Sequence, residues 1–458
     1  MIGAQRVVDL ALAEAERGGK ADETIVLVTD RAGASLRWAN NSMTTNGESV
    51  SRSTTVISIV RQGDTARVGS VVTSEVDPAA IAALVTASQD AALSAPEARD
   101  NAPALPGTDA PEDWEAPVPG TDVQAFLGVA GSLAARGFSG ADQLYGFARH
   151  DVETTFLGTS SGLRRRFTQP TGSVEINGKR DGASAWVGFS TPDFADVPTD
   201  SMLERLSTRL GWARRTVELP AGRYETIMPP STVADMMIYL WWSMDGRGAE
   251  EGRTALSAPG GGTRIGEKLT DLPLTMYSDP HADGLACTPF VTASASSERG
   301  SVFDNGLDIG RTDWIRDGTV NALAYPRASA AEFGAPVAAP ADNLLMTGGT
   351  ASLADMIAST ERGLLLTTLW YIREVDPALL LMTGLTRDGV YLVEDGQVTA
   401  AVNNFRFNES PLDLLRRATE AGATDRTLPR EWGDWVTRVT MPSLRIPDFH
   451  MSSVSQAQ

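Results

Sequence analysis

The chain has 458 residues, enough for two or three domains, and 42% of them are hydrophobic, which excludes a disordered polymer. Its formal net charge of −19 excludes the clustered cationic surface that nucleic acid or an anionic membrane requires of a partner. A single cysteine, Cys287, excludes an intrachain disulfide and agrees with a reducing cytoplasm.

The first stretch carries Val7, Val8, Leu10, Ala11 and Ala15, broken by Asp9, Glu14 and Glu16. That spacing predicts an amphipathic helix rather than a signal peptide. No segment approaches the roughly 18 apolar residues of a membrane-spanning helix, so the expectation is a soluble cytoplasmic protein. Residues 23–29 (ETIVLVT), 52–60 and 66–72 read as strands, the last two split by Gly63 and Asp64. Residues 78–93 open with proline and read as a helix.

Residues 94–120 hold six prolines and read as an extended connector on the surface. A helix is expected over 122–136. Strands and turns follow over 143–189, with turn signals at 160–162, Asn177-Gly178 and Asp181-Gly182. Arg164, Arg165 and Arg166 sit in this region. Three adjacent strand residues alternate between faces, so an exposed strand is favoured over a phosphate site. Residues 201–217 read as another amphipathic helix, and 220–222 as a domain boundary.

The second half is organised around residues 229–256. Ser231 is the expected N-cap, with Asp235 near the positive end of the helix dipole. Val233, Met236, Met237, Ile238, Leu240, Trp241 and Trp242 leave almost no polar face, which predicts an interior helix stopped by Gly246 and Gly248. The glycine-rich run 257–269 lacks phosphate-loop spacing and reads as a loop beside a cleft. Hairpin turns are expected at 304–306, Asp317-Gly318 and Asp395-Gly396, a strand over 364–373, a helix over 411–421, and a last strand at 444–446 before a polar tail.

The expected fold class is α+β. Residues 1–93 form an N-terminal α/β subdomain with an antiparallel sheet and flanking helices. Residues 94–120 are the Pro-rich connector, and 121–219 continue the N-terminal domain. Residues 220–458 form a β-rich, barrel-like domain around the buried helix.

Chemistry-bearing residues are sparse. The three histidines, His150, His281 and His450, lie far apart in sequence. His281 and Cys287 share the loop SDPHADGLACTPF with Asp279 and Asp283, which is a weak metal signal and more simply a turn-rich loop around a buried cysteine. No GxSxG elbow marks a serine nucleophile. Glu250 and Glu251 are adjacent, and adjacent carboxylates are usually solvated. These residues alone select no catalytic group.

Several stretches in the second half together carry a resemblance. They are the central helix, Gly266-Glu267-Lys268, Tyr277-Ser278-Asp279-Pro280, residues 301–306 and the strand pair around Asp317 and Gly318. The run MIASTERGLLLTTLWYIREVDP at 356–377 and the hairpin VYLVEDGQVTA at 390–400 complete it. In this order they resemble the TldD/PmbA family of intracellular, peptidase-related (U62-like) proteins, most closely over 222–402. In TldD-like members the central helix carries a His-Glu-xxx-His zinc motif, completed by a cysteine near the C-terminus. Here residues 240–251 read LWWSMDGRGAEE, without histidine, and the end FHMSSVSQAQ has no cysteine.

The chain therefore resembles the PmbA/TldE-like branch that lacks the zinc motif. The resemblance implies a non-catalytic subunit of a heteromeric TldD/TldE metallopeptidase that acts on small or unfolded peptides and in peptide maturation. It implies no catalytic residue, metal ligand or cofactor in this chain, and zinc in a TldD-like partner. Two alternatives remain: a homodimeric peptide-binding protein without proteolysis, and an independent hydrolase using His281, Cys287 or His450.

Overall fold

The computed structural model describes residues 2–75 and 77–455. The first unit runs α1 (Ala4–Gly18), β1 (Glu23–Ala39), β2 (Ser42–Gln62), β3 (Thr65–Thr73), α2 (Pro78–Ser94), α3 (Leu127–Ser132), β4 (Gln143–Thr159), β5 (Arg164–Arg180), β6 (Ala183–Thr191) and α4 (Thr199–Trp212). Its six strands form one antiparallel sheet in the order β3-β2-β1-β4-β5-β6. Strands of 17 to 21 residues make this sheet unusually long.

Strand period two gives the sheet two distinct faces. Val26, Val28, Val56 and Phe156 pack against α1 and α2, while Leu36, Trp38, Ala148 and Val174 on the same face pack against α3 and α4. On the opposite face, Ile25, Leu27, Ile57 and Leu157 pack against Phe290 and Phe303 of the second unit. Further along that face the outward residues of β1 and β4 turn polar: Thr29, Arg31, Glu153 and Thr155. With this change from apolar to polar a cavity opens between the units, and contact resumes beyond it through polar pairs such as Gln169–Asp342 and Arg438–Thr171.

The second unit continues with β7 (Thr216–Val217), β8 (Gly222–Met228), α5 (Pro230–Trp242), α6 (Gly246–Glu250), β9 (Met276–Ser278), β10 (Thr312–Arg316), β11 (Thr319–Val320), α7 (Arg327–Phe333), β12 (Leu344–Met346) and α8 (Leu353–Ala358). It ends with β13 (Arg362–Leu366), β14 (Trp370–Asp376), β15 (Leu381–Leu385), β16 (Val390–Glu394), β17 (Gln397–Val402), β18 (Phe405–Glu409), α9 (Pro411–Arg417), β19 (Glu420–Thr427) and β20 (Val439–Val454). Fourteen strands form a curled sheet whose spine is β20, paired with β8, β12, β18 and β19. The expected α+β class, with a β-rich second half around a buried helix, is what the chain adopts. α5 packs on β20, β19, β8 and α9.

Turns at Asp181-Gly182, Asp317-Gly318 and Asp395-Gly396 occur as expected, each pair at positive φ as a two-residue hairpin requires. Other expectations are corrected. Asn177-Gly178 lies inside β5, where Gly178 lets Leu206 and Leu210 of α4 approach the sheet. The 201–217 helix ends at Trp212, and Thr216–Val217 pairs with β17 instead. Residues 304–306 follow a short 3-10 turn rather than joining two strands, and Asn305 bonds both backbone groups of Ala293. The 364–373 strand is two, β13 and β14. The 411–421 helix stops at Arg417, and Glu420 already belongs to β19.

The expected polar tail is the second half of β20, with Phe449 and Met451 fully buried; its last residues, 456–458, lie outside the described residues. Arg164–Arg166 does lie on a strand, but Arg166 is buried rather than exposed. It donates to the carbonyls of Asp113 and Pro117, so it clamps the Pro-rich connector to the sheet.

Candidate functional site

α5 begins at Pro230, whose fixed φ and missing N–H suit a first helical position. Pro229 is the N-cap and no side chain caps the helix, so Ser231 does not hold the role expected for it. Residues 232–238, 240 and 241 are buried. The helix ends at Trp242, before Gly246 and Gly248, with Ser243 as its C-cap, donating both its N–H and its hydroxyl to the Tyr239 carbonyl. The two glycines belong to α6 instead, where a side chain on Gly246 would collide with the Tyr325 ring.

Asp235 lies beyond the first turn and is fully buried. One carboxylate oxygen accepts from the Glu431 N–H at 3.0 Å, and its main-chain oxygen accepts from the Trp432 indole at 2.8 Å. The other oxygen is buried without a hydrogen-bond partner among the described residues. Burial therefore pushes the Asp235 pKa well above the usual carboxylate range. The effect is to pin residues 431–432 over the end of α5. Trp432 then packs edge-on to Trp242, centroids 5.0 Å apart, and beside Tyr239 at 5.8 Å.

Tyr239 and Trp242, three residues apart and so on one helix face, open onto a cavity of about 770 Å³ walled also by Trp370, Tyr371, Trp432 and Trp435. β14 borders it and pairs only with β15, leaving an edge. Glu431 covers the start of that edge by accepting from the N–H groups of Tyr371 and Ile372 at 2.8 and 3.0 Å.

A second cavity, of about 720 Å³, lies on the other side of Trp242. Its floor is the polar part of the first sheet, Thr29, Glu153 and Thr155, and its opposite wall includes Trp241, Trp242 and Arg299. The guanidinium carbon of Arg299 lies over the Trp241 ring, 4.4 Å from its centroid. Trp242 thus lines both cavities and Trp241 the second, which lies between the two units; their aromatic walls suit extended, flexible chains.

The residues singled out from sequence do not converge. His281 is exposed, its own N–H bonded to Asp279. Cys287, six residues on, is fully buried with Val291, Ile309 and Ala341, and burial pushes its thiol up to about 12, away from the nucleophilic thiolate. His450 lies on β20, its N–H held by Glu409. His150 is on β4, bonded to Thr121 and to the Pro192 carbonyl. Glycines 260–262 close a loop by the Ala258 N–H to Gly262 carbonyl bond.

Among the described residues, no three His, Cys, Asp or Glu side chains are grouped to hold a metal ion. At the end of α5 the carboxylates are committed. Asp245 caps α6 by accepting from Gly248 at 2.6 Å, Glu250 accepts from the Tyr325 hydroxyl, and Glu251 pairs with Arg99, Arg247 and Arg253. No imidazole or thiolate joins them, so these residues do not fit zinc, which favours N and S donors.

Sequence reading found Trp241 and Trp242 but missed Arg299, Trp432 and Trp435, and misjudged Asp235. The Trp432/Trp435 pair, three apart in a polar run, was the one available signal.

Residues 221–453 match the PmbA/TldA metallopeptidase C-terminal domain. The chain belongs to this family. That span is the curled sheet with α5 and both aromatic cavity walls. No curated protein matches the chain in sequence. Among solved structures, TldE from Thermococcus kodakarensis is similar at TM-score 0.79 and 16% identity, covering 97% of this chain and 99% of that one. A candidate modulator of DNA gyrase from Bacteroides thetaiotaomicron is similar at TM-score 0.76 and 15% identity, covering 99% and 100%. Another from Thermotoga maritima is similar at TM-score 0.73 and 14% identity, covering 98% and 100%. At these identities the likeness establishes a shared fold for the whole PmbA/TldA chain. No helix among the described residues is long and apolar enough to cross a membrane.

Proposed function

We propose that this chain is the metal-free, TldE/PmbA-like subunit of a heteromeric cytoplasmic peptidase whose zinc lies in a TldD-like partner. Its substrates are small or unfolded peptides, including precursors that mature by cleavage. The observation that carries this reading is the end of α5. By the resemblance, residues 240–251 correspond to the segment in which TldD-like members carry their His-Glu-xxx-His ligands; here that segment has no histidine, and its Trp241 and Trp242 line the cavity between the units. The family match and the shared fold with an archaeal TldE support it.

The chemistry left to this chain is binding and enclosure. Indole and phenol faces hold varied side chains without selecting among them, and a free strand edge can pair with a peptide backbone. Closure against a second subunit would keep water from the reacting peptide.

The test is to purify this chain with and without a TldD-like subunit from the same organism, count zinc in each, and assay peptide cleavage. Cleavage by the mixture alone, with zinc in the other subunit, is the expected result. Zinc binding and cleavage by this chain alone would overturn the reading and return attention to His281, Cys287 and His450. Peptide binding that never leads to turnover, even with the partner present, would favour a homodimeric binding protein.

A further inference from the structure

Among the described residues, the cavity between the two units is lined by one cation, Arg299, that no carboxylate pairs with. Each acidic side chain on its wall has its own basic neighbour: Glu153 beside Arg31 at 3.4 Å, Asp304 bonded to Arg327 at 2.7 Å, and Asp342 near Arg438 at 3.5 Å while accepting from Gln169 at 3.0 Å. Arg299 differs. Its side chain makes no hydrogen bond or ion pair among the described residues, and its Nε is buried without an acceptor. The carboxylate whose charge reaches it, Asp245, stands beyond ion-pair distance and is engaged in capping α6. Burial lowers the Arg299 pKa to about 10, so it stays charged at neutral pH.

The guanidinium carbon lies over the Trp241 ring, 4.4 Å from its centroid, and the guanidinium N–H groups, which can grip a carboxylate with two parallel bonds, have no partner among the described residues. The Trp241 indole N–H is also buried without an acceptor. Two donors without partners, one of them charged, are costly in a folded interior unless a ligand completes them. Beside them run residues 292–295 and 297, which line the same cavity and, among the described residues, belong to no strand; they are exposed except Ala293, whose backbone Asn305 already holds.

We propose that Arg299, held over the Trp241 ring, binds the C-terminal carboxylate of an extended peptide lying in this cavity. The inference rests on the reading that the chain handles peptides, and it adds which end is held and by which side chain. A free carboxylate is the one feature common to every linear peptide. An anchor for it binds without regard to sequence, and internal segments of folded proteins do not offer it.

The test uses the full chain and titrates a short alanine peptide with a free C-terminal carboxylate, the same peptide as its amide, and inorganic phosphate, read by calorimetry and tryptophan fluorescence. The acid is expected to bind at least about tenfold more tightly than the amide, a bidentate charged contact being worth some 1.5–3 kcal/mol. Arg299→Gln should remove that preference, the acid falling to about the affinity of the amide. Equal affinity for acid and amide in the wild-type chain overturns the carboxylate site and leaves peptide handling intact. Failure of both peptides to bind overturns the inference as well, and the mixing assay then decides the subunit reading separately. Phosphate binding tighter than the peptide acid reassigns the site to small anions. If Arg299→Gln fails to fold, the acid–amide comparison on the wild-type chain still decides.

Discussion

The two sheets of this chain are built by opposite rules. The first is two three-strand meanders, β3-β2-β1 and β4-β5-β6, joined by the single long-range pair β1–β4. The second is closed by its last strand, β20, which reaches back to β8, β12, β18 and β19. In the first, stability is local and uneven: residues 42–51 of β2 are all exposed, at a sheet edge. In the second, half of the residues of β20 are buried against α5 and the large core. A meander can fray at its tips without losing the rest, whereas removing a spine strand opens four neighbours at once.

The comparison breaks most sharply at Phe449. It is fully buried on β20, and Phe449→Ala should cost about 3–5 kcal/mol in chemical denaturation. A loss below about 1 kcal/mol would mean that β20 is not the spine. Next comes Gly69 on β3, where an added Cβ would lie 2.1 Å from the Ser88 carbonyl oxygen of α2. Gly69→Ala should cost about 1–3 kcal/mol by forcing α2 off the sheet. An unchanged melting curve would show that this helix docks loosely.

Asp235→Asn should sharpen the account of the cleft. The folded pKa of Asp235 is raised by burial above its unfolded value of about 3.9. Its favourable contribution is therefore complete below that unfolded value and is lost as pH climbs through the folded one, by about 1.4 kcal/mol per pH unit. Asparagine keeps an acceptor for Glu431 and removes the titration. The variant should gain on wild type from pH 5 towards pH 8 and converge with it near pH 4, and a difference constant across that range would refute the neutral carboxyl. The smallest effect belongs to Val50, 77% exposed on the β2 tip. Val50→Ala should change stability by less than about 0.5 kcal/mol. Hydrogen exchange should show the amides of 42–51 exchanging well before those of β20, and matching rates would erase the contrast.

Legibility in sequence follows the same division. Two-residue turns such as Asp181-Gly182 and Asp395-Gly396 declare themselves, because the backbone they need is set by two adjacent residues. The same signal misled at Asn177-Gly178, where glycine serves helix–sheet contact within a strand. β20 was hidden for a different reason. A register shift between Ile446 and Phe449, at Pro447 and Asp448, moves the buried residues from one parity to the other. Only Leu444 and Ile446 kept a readable alternation.

At the cleft, an unbroken apolar run made α5 readable as an interior helix, and Trp241 and Trp242 could be named from it. What surrounds them comes from far along the chain. Trp432 arrives because Asp235 holds its indole, and Arg299 arrives because the segment after Phe290 packs on the far face of the first sheet. By itself the sequence determined class, family resemblance, local turns and the buried helix, since these depend on composition and on neighbours within a few residues. Only the tertiary structure decided which carboxylates are committed, which cation is left over and where the cleft opens. Those are properties of partners brought together in space, and no local spacing encodes them.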